Sequence, residues 1–480
     1  MQNYLRSGAQ WRKNGRYAGL KAFDWHKRLA QALFSLYNSA LMSVEPRVKR
    51  VKKPPVMPPW YALDHAAVIY PPTMSERSPA FFRIQATLDR PVNAELLAKA
   101  MRNIAPRFPY YHVELRRGFF WFYFEKNELP LKPIVDSAYP MQKPEAGRRG
   151  AHLYRVRAYS DRLALEVSHV ITDGGGGFIL FKTLLGEYYR LRGVDVPYTD
   201  GIWDPKSTPE PHEWEDSFAA YSEPGTPTPV RQGPAYHVPG KLLPKGHLRI
   251  TTGRLSVAAL LAVCKAHSAT MTEYLTALLF SVLQDMQEEE RGVRSRFRNL
   301  PLRIEIPADM RKIFPSKTMR NFSLFLEPTL DTRLQRFSLD EIIRLTRSQM
   351  ALGLFKGELL RIITRNVEAA RSIFIRALPL PIKNVFMRFL SSIFGDRMFS
   401  SVLSNVGPMR LPEVVASRIR FVDVLVNTSP VIKQAVGIIS FGDRLSITFG
   451  SLCERSDVER HFFRRLVKEG IHVSIESNDI

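Results

Sequence analysis

The stretch LALEVSHVITDGGGGFILF, Leu163–Phe181, constrains the fold of this chain more than any other. The apolar run before His169 is typical of a buried strand, and the residues after the glycines predict a helix from about Phe178 to Leu191. Between these elements lie Asp173 and four consecutive glycines, Gly174 to Gly177. Glycines at this place indicate a tight turn with positive φ, and they leave space beside the imidazole.

His169 and Asp173 are the candidate chemical groups. A lone histidine at a strand end is most often structural, but a carboxylate one short loop away changes its interpretation. Asp173 can pair with an arginine and fix the loop, or reach the ring nitrogen and fix its tautomer. A single histidine in a cleft suits proton abstraction from a hydroxyl or an amine.

Other chemistries do not fit this stretch. A G-x-G-x-x-G phosphate loop would need glycine where Ile179 stands, and no G-x-S-x-G nucleophile motif is found. The nearest histidines, His152 and His212, have no ligand-like spacing, so we predict no metal site.

The length of the chain indicates two packed subdomains, and its cysteine content indicates a reducing compartment. At 480 residues, of which 45% are apolar, the chain exceeds what one core usually supports. Cys264 and Cys453 have no paired spacing, which argues against disulfides and favours a cytoplasmic location. We find no signal peptide pattern, and the apolar runs are shorter than a membrane span needs.

The positive charge is concentrated at the N-terminus. The net charge is +23, and Met1–Lys53 holds twelve basic residues against two acidic ones. That distribution suits anionic ligands, acidic partners or a lipid surface at least as well as nucleic acid. Nucleic-acid binding would rest on charge alone, and we do not favour it.

Residues 1–59 form a basic arm in which Phe23–Met42 has helical periodicity and Arg47–Pro59 is an extended linker. The favoured interpretation is a helix packed on the body, followed by a solvated tether. The alternative is an element that docks on a membrane surface or a partner.

From Trp60 onward, hairpins and helices alternate without strict βαβ order, which predicts a mixed α/β fold. Asp200–Lys245 holds nine prolines between Pro205 and Pro244, and we interpret it as a crossover or a lid. The predicted organisation has four parts: the arm at 1–59, a first subdomain at 60–199, the crossover at 200–246 and a second subdomain at 247–480.

The motif SHVITDGGGG resembles the H-x-x-x-D-G signature of the chloramphenicol-acetyltransferase-like superfamily of coenzyme A-dependent acyltransferases. Three further stretches follow the order seen in that superfamily: LDHAA at Leu63–Ala67, IPADMRKIFPSKTMRNF at Ile306–Phe322 and LSNVGPMRLPE at Leu403–Glu413. Together they are most similar to the bacterial alcohol-acetyltransferase-like branch. The resemblance covers the chain from about Trp60 to the C-terminus.

The resemblance implies two CAT-like subdomains with a tunnel between them. It also implies acyl transfer from acyl-coenzyme A to an alcohol in a ternary complex, with His169 as general base and no permanently bound cofactor. Oxyanion donors would come from Ser404, Asn405 or Asn321, although such residues are just as readily turn residues.

The motif also implies roles for the residues after the histidine. Asp173 would be structural and pair with Arg311, with Arg83 as the second choice, and Gly174 completes the signature. Ser168 stands where condensation domains and wax ester synthases usually carry a first histidine, which argues against peptide-bond formation.

Several alternatives stay open at this point. The donor is either coenzyme A or a carrier-protein thioester, and N-acyl transfer or carrier-dependent condensation is a less favoured reaction. A relative that keeps the fold as a non-catalytic docking protein is the main rival.

A second apolar stretch, LPIKNVFMRFLSSIFGDRMF at Leu380–Phe399, has helical spacing and basic residues off its apolar face. The favoured interpretation is packing on the second subdomain or lining the tunnel. The alternative is that this stretch and residues 1–53 both contact the cytoplasmic surface of a membrane. Both interpretations indicate a hydrophobic acceptor or a hydrophobic acyl chain.

Overall fold

The computed structural model describes residues 57–143, 148–229, 232–290 and 300–478. The predicted helix Phe23–Met42 and the basic arm through Lys53 lie outside the described residues. The described strands, in chain order, are β1 (Trp60–Ala62), β2 (Phe81–Leu88), β3 (Val113–Arg117), β4 (Phe122–Lys126), β5 (Ile134–Val135), β6 (Tyr154–Tyr159), β7 (Arg162–Ser168), β8 (Arg249–Ser256), β9 (Leu302–Asp309), β10 (Ser323–Leu326), β11 (Thr329–Leu330), β12 (Ser401–Pro408), β13 (Ile419–Leu425), β14 (Gln434–Phe441), β15 (Arg444–Ser451) and β16 (Ser474–Ser477).

The α-helices of the same part of the chain pack around these strands. They are α1 (Tyr70–Thr73), α2 (Ala94–Ile104), α3 (Gly174–Leu191), α4 (Ser217–Tyr221), α5 (Val257–Ala266), α6 (Met271–Glu289), α7 (Leu339–Gly353), α8 (Lys356–Arg371), α9 (Ile373–Ala377), α10 (Leu380–Phe394), α11 (Glu413–Ala416) and α12 (Asp457–Lys468). None of the helices so described is long and apolar enough to cross a bilayer.

Local sequence signals account for several helix starts. Asn93, Ser256 and Ser338 each accept a hydrogen bond from a backbone N–H in the first turn of the helix that follows. Such side-chain caps satisfy backbone donors that have no partner within the helix.

The strands form three sheets, and the mixed α/β class predicted from the sequence is confirmed. The first large sheet has the order β13-β2-β7-β6-β5, and the second has β10-β9-β12-β14-β15-β8-β16 with β11 also paired to β9. A small sheet has the order β1-β4-β3. Within the second sheet, β12 runs parallel to both β9 and β14, so the strand that carries Ser404 and Asn405 is internal.

The strand β13 connects the two large sheets. It pairs with β2 although it comes from the second half of the chain. Asp423 of β13 accepts hydrogen bonds from Gln85 at 2.9 Å and from Arg254 at 2.5 Å, so it bridges both sheets. A Cβ atom added at Gly437 of β14 would overlap the Val424 carbonyl, which shows how closely the backbones approach. The boundaries at residues 199 and 247 stay predictions.

Candidate active site

His169 directly follows β7, and both its backbone and its ring make contacts that fix its position. Its backbone N–H donates to the Ala80 carbonyl at 2.8 Å, and its carbonyl accepts from Asn321 Nδ2 at 2.9 Å. The ring stacks on Tyr70 with centroids 5.5 Å apart and contacts Phe82 at 4.8 Å. The imidazole is therefore fixed by aromatic neighbours and by its own backbone.

The surroundings of His169 favour the neutral imidazole. Burial lowers the pKa of His169 to about 4, although the charge of Asp173 and a hydrogen bond to the Thr172 backbone act in the opposite direction. The side chain is half-buried and lines a large cavity. At neutral pH the ring is thus available to accept a proton.

The Asp173 carboxylate binds protein groups. Arg311 donates to it from two nitrogens at 3.0 and 3.1 Å, and the backbone N–H of Phe322 donates at 2.6 Å. Asp173 also caps α3 by accepting from the Gly176 N–H at 3.4 Å. The aspartate therefore ties the loop after β7 to the chain segment that follows β9.

Arg311 is the arginine that the structure places against Asp173. It also donates to Asp309 at 2.9 Å. Burial alone would lower the pKa of Arg311, but the charges of Asp173 and Asp309 outweigh it and raise the pKa above its ordinary value. Arg83, the second candidate from the sequence, lies elsewhere and donates two hydrogen bonds to Asp136.

The four glycines form the first turn of α3, which begins four residues earlier than predicted. None of them has a positive φ, so the tight turn expected from the sequence is wrong. A Cβ added at Gly176 would overlap the Tyr111 hydroxyl, and one at Gly177 would lie 2.6 Å from the Phe82 ring. Close packing at these two positions requires glycine, whereas a Cβ at Gly174 would have no heavy atom within 4 Å.

The three oxyanion candidates are placed differently. Both Ser404 and Asn405 lie on β12 and line the cavity, and Asn405 Nδ2 donates to Thr272 at 2.9 Å. Asn321 is buried, and its Nδ2 donates to Asp64 at 3.1 Å as well as to the histidine carbonyl. With both hydrogens of its amide engaged, Asn321 positions the histidine backbone and is a poor oxyanion donor.

Two polar side chains of the cavity were not identified from the sequence. His65 lines the cavity, and its Nδ1 lies 2.5 Å from Asp216 Oδ2. Glu305 of β9 also lines the cavity, and burial together with the charges of Asp396 and Glu327 raises its pKa to about 8. His65 lies within the LDHAA stretch, but that pattern assigned it no role, and its partner Asp216 is 151 positions away in the chain.

The cavity next to His169 has a volume of about 3040 Å³. Much of its wall is apolar, including Phe386, Met387 and Leu390 of α10, the second apolar stretch of the sequence. Within the described ranges, no three histidine, cysteine or acidic side chains converge as a metal site would need. The cavity can accommodate large, mostly apolar ligands beside a neutral imidazole.

Comparison by sequence finds no match, either to a family model or to a curated protein. Comparison by structure does. F. graminearum TRI101 in complex with coenzyme A and deoxynivalenol superposes with a TM-score of 0.58 at 10% identity, covering 87% of this chain and 99% of that one. Polyketide synthase associated protein 5 from Mycobacterium tuberculosis gives a TM-score of 0.52 at 14% identity, covering 85% and 96%.

A third structure extends the comparison to peptide synthetases. The epimerization domain from the third module of tyrocidine synthetase B gives a TM-score of 0.53 at 14% identity, covering 88% of this chain and 98% of the domain. At such identities the likeness shows the fold alone. The chain therefore shares its fold with these three proteins.

Proposed function

We propose that this protein transfers an acyl group from acyl-coenzyme A to an alcohol, with His169 as the general base. The observation that carries the proposal is a neutral imidazole on the wall of a cavity of about 3040 Å³, in a fold shared with a structure that holds coenzyme A. The H-x-x-x-D-G spacing of His169, Asp173 and Gly174 supports it.

His169 handles one proton in the proposed reaction. It accepts the proton of the acceptor hydroxyl while the oxygen attacks the thioester carbonyl carbon. The resulting tetrahedral intermediate collapses with cleavage of the C–S bond, and the imidazolium returns the proton to the departing thiolate. The products are an ester and free coenzyme A, and no covalent enzyme intermediate forms.

Charge on the carbonyl oxygen must be stabilised during the attack. Ser404 and Asn405 are candidates for this role because both residues line the cavity and lie on one internal strand. Asn405 is oriented by Thr272 and by the Gly407 N–H, which donates to its Oδ1 at 3.0 Å. A preorganised donor of this kind loses little free energy to reorientation.

Asp173, Arg311 and Asn321 act as positioning residues in this scheme. Asp173 and Arg311 hold the loop after β7, and Asn321 holds the His169 carbonyl. Gly174 leaves open space at the start of α3, beside the imidazole. None of these groups needs to exchange a proton with the substrate.

The acceptor is an apolar molecule with a hydroxyl group. The aromatic and aliphatic side chains of α10 that face the cavity, with Phe82 and Tyr70 beside the imidazole, support this choice. Burial of such a ligand contributes about 25 cal/mol per Å² of apolar surface. Long acyl chains or long alcohols therefore fit better than small polar acceptors.

The test is thiol release by the full-length protein. Acetyl-, octanoyl- and palmitoyl-coenzyme A are each combined with a series of primary alcohols and with the amines of the same carbon skeletons. We expect thiol release and ester formation, detected by mass spectrometry, with alcohols of medium or long chain. The same reactions with His169→Ala serve as the control.

Equal thiol release by wild type and His169→Ala across this series contradicts the assignment of His169. Products formed from the amines and not from the alcohols show an N-acyltransferase. Absence of product with every coenzyme A thioester, in a protein that still binds the alcohols, indicates the non-catalytic or carrier-dependent alternative.

A further inference from the structure

Large apolar side chains are exposed together at one edge of the cavity. The β3–β4 hairpin tip exposes Phe119 to 71%, and α10 exposes Val385 to 68%. We call this surface the rim; its members are Ile69, Phe119, Trp121, Ile382, Val385 and Phe389. Monomeric proteins rarely leave a contiguous patch of this kind in water without using it.

Hydrogen bonds join the three elements of the rim. The Leu380 N–H donates to the Phe119 carbonyl at 2.8 Å, and Lys383 Nζ donates to the Phe120 carbonyl at 2.6 Å. Arg388 Nε donates to the carbonyl of Pro72 in α1, at 2.7 Å. The hairpin tip, α10 and the turn before α1 therefore present one surface.

The rim borders the cavity that holds His169. Ile69, Trp121 and Phe389 belong to the rim and also line the cavity. On α10, the side chains of Phe386 and Leu390 line the cavity while those of Ile382 and Val385 are exposed. One helix thus supplies both the apolar wall of the cavity and an apolar outer face.

The segments that form the rim carry an excess of basic residues, although Arg116 is paired with Glu114 and Glu125 of the same hairpin. Arg371–Gly395 contains four basic residues and no acidic one, and Arg116–Phe122 contains two basic residues and no acidic one. Residues 1–53 are also basic in sequence, and Trp60, near the first described residue, lines the cavity. Like charge disfavours the arm as the cover of the rim, whereas an anionic surface complements both.

We propose that the rim binds the surface of an anionic lipid bilayer and opens the cavity towards the acyl-chain region. Exposed aromatic and aliphatic side chains beside lysine and arginine are what interfacial binding requires. The sequence indicated 1–53 and 380–399; the hairpin tip, Ile69 and the cavity mouth come from the structure. Entry of the acceptor from the bilayer rests on the proposed acyl transfer, whereas lipid binding does not.

The test reports on the rim itself in the full-length protein. Val385→Cys is labelled with the environment-sensitive fluorophore NBD, and vesicles of phosphatidylcholine alone or with phosphatidylglycerol are added. Native Cys264 and Cys453 are buried, and burial raises the pKa of Cys264 to about 11, so labelling is directed to the new thiol. Leu334→Cys, at a position 77% exposed in the turn before α7, is the matched control.

We expect the probe at position 385, and not the one at 334, to shift to the blue and brighten with phosphatidylglycerol vesicles. A triple variant, Phe119→Ser, Ile382→Ser and Val385→Ser, changes side chains that do not line the cavity. It should float with those vesicles about tenfold less than wild type, because it loses apolar surface, and should acylate a short, water-soluble alcohol at the wild-type rate.

Three results overturn the proposal: flotation without a change at position 385, no flotation, or a probe already shifted to the blue without vesicles. The last result shows that the arm or a second copy covers the rim. Lipid binding in a protein that forms no ester with any acceptor leaves this proposal standing and contradicts the acyl transfer instead.

Discussion

His169 and His65 both line the cavity, and each has an aspartate close by, yet the two aspartates do different things. Asp216 Oδ2 lies 2.5 Å from His65 Nδ1 and also accepts from the His65 backbone N–H at 3.0 Å. Asp173 instead binds Arg311 and the backbone of Phe322. A histidine bonded directly to a carboxylate resembles a catalytic pair more than His169 does.

The contacts of Asp216 explain why proximity to a carboxylate is misleading here. Asp216 caps α4 by accepting from the Ala219 N–H at 3.3 Å, and it fixes both the ring and the backbone of His65. Burial alone would raise the pKa of Asp216, but the hydrogen bond from His65, the charges of His65 and Arg320 and the Ala219 N–H together outweigh it and hold the pKa below its ordinary value. The pair connects the start of the body to the crossover segment.

The environment of His169 consists of aromatic rings, and burial sets its pKa. Tyr70 and Phe82 flank the imidazole, and its lowered pKa keeps the ring neutral. A neutral base can take a proton from an incoming hydroxyl, which a permanently charged imidazolium cannot do. The comparison teaches that the carboxylate nearest to a histidine can have a structural role, whereas a histidine whose ring is not bonded to a carboxylate can be the candidate base.

The largest effect is expected for His169→Ala. Removing the base should lower kcat/KM by about 10²- to 10⁴-fold, the usual contribution of general-base catalysis. The thermal unfolding midpoint should change little, since the ring is only half-buried. Steady-state thiol release gives the rate constants. A fall of less than threefold would move the catalytic assignment away from His169 and towards His65.

Asp173→Asn should act mainly on stability. The neutral amide leaves Arg311 facing only Asp309, and we expect a loss of about 3 kcal/mol in the free energy of unfolding. Urea titration followed by intrinsic fluorescence measures it. Asp216→Asn is the matched variant of the other pair; its side chain and that of His65 are each 19% exposed, so about 1 kcal/mol is expected.

Comparing the stability losses of Asp173→Asn and Asp216→Asn shows which of the two pairs contributes more to the fold. A larger loss for Asp216→Asn than for Asp173→Asn would contradict the view that the Arg311 pair anchors the site loop. If Asp173→Asn kept its stability but altered the pH dependence of kcat/KM, Asp173 would act on the imidazole and not on the loop.

The part of the site that residue patterns predicted is local, whereas the Asp173–Arg311 pair, 138 positions apart, was expected only from the family resemblance. His169 and Asp173 lie four residues apart, so strand end, cap and motif can be recognised together. By contrast, Asn321 and Asp64 are 257 positions apart, and His65 and Asp216 are 151 apart. Only the folded sheets bring such residues into contact.

The glycine run shows why local propensity failed. Glycine disfavours helix interiors, so a turn was the natural prediction for Gly174–Gly177. Tertiary contacts decide otherwise, because α3 packs so closely on Phe82 and Tyr111 that no side chain fits at Gly176 or Gly177. The fold class followed from element order, whereas the pairing of β13 with β2 could not be read from periodicity.

The pH dependence of the reaction should test whether His169 is the base. Because burial lowers the pKa of His169 to about 4, its neutral form persists well below the ordinary value of about 6.5. We expect kcat/KM at pH 5.5 to stay near its value at pH 7, whereas a base with the ordinary pKa would lose about tenfold. Initial rates between pH 5 and 8 measure the profile.

A stability control accompanies this profile. Between pH 6.5 and 4 the unfolded chain binds the proton that folded His169 does not, so this residue makes the folded state less stable as the pH falls. Far-ultraviolet circular dichroism at each pH identifies any unfolding. An acid limb centred near 6.5 in the folded protein would contradict the assignment of His169 as the base.

The smallest effect is expected for His65→Gln. Glutamine retains a donor for Asp216 and much of the side-chain length, so the connection between the Leu63–Ala67 segment and α4 is largely kept. We expect kcat/KM to fall by less than about threefold and the free energy of unfolding by about 1 kcal/mol, as for a partly exposed pair. Thiol release and urea titration on the same preparation give both values. If His65→Gln instead cost activity as much as His169→Ala with stability unchanged, the ring bonded to its carboxylate would be the base, and the aromatic-flanked histidine would belong to the scaffold.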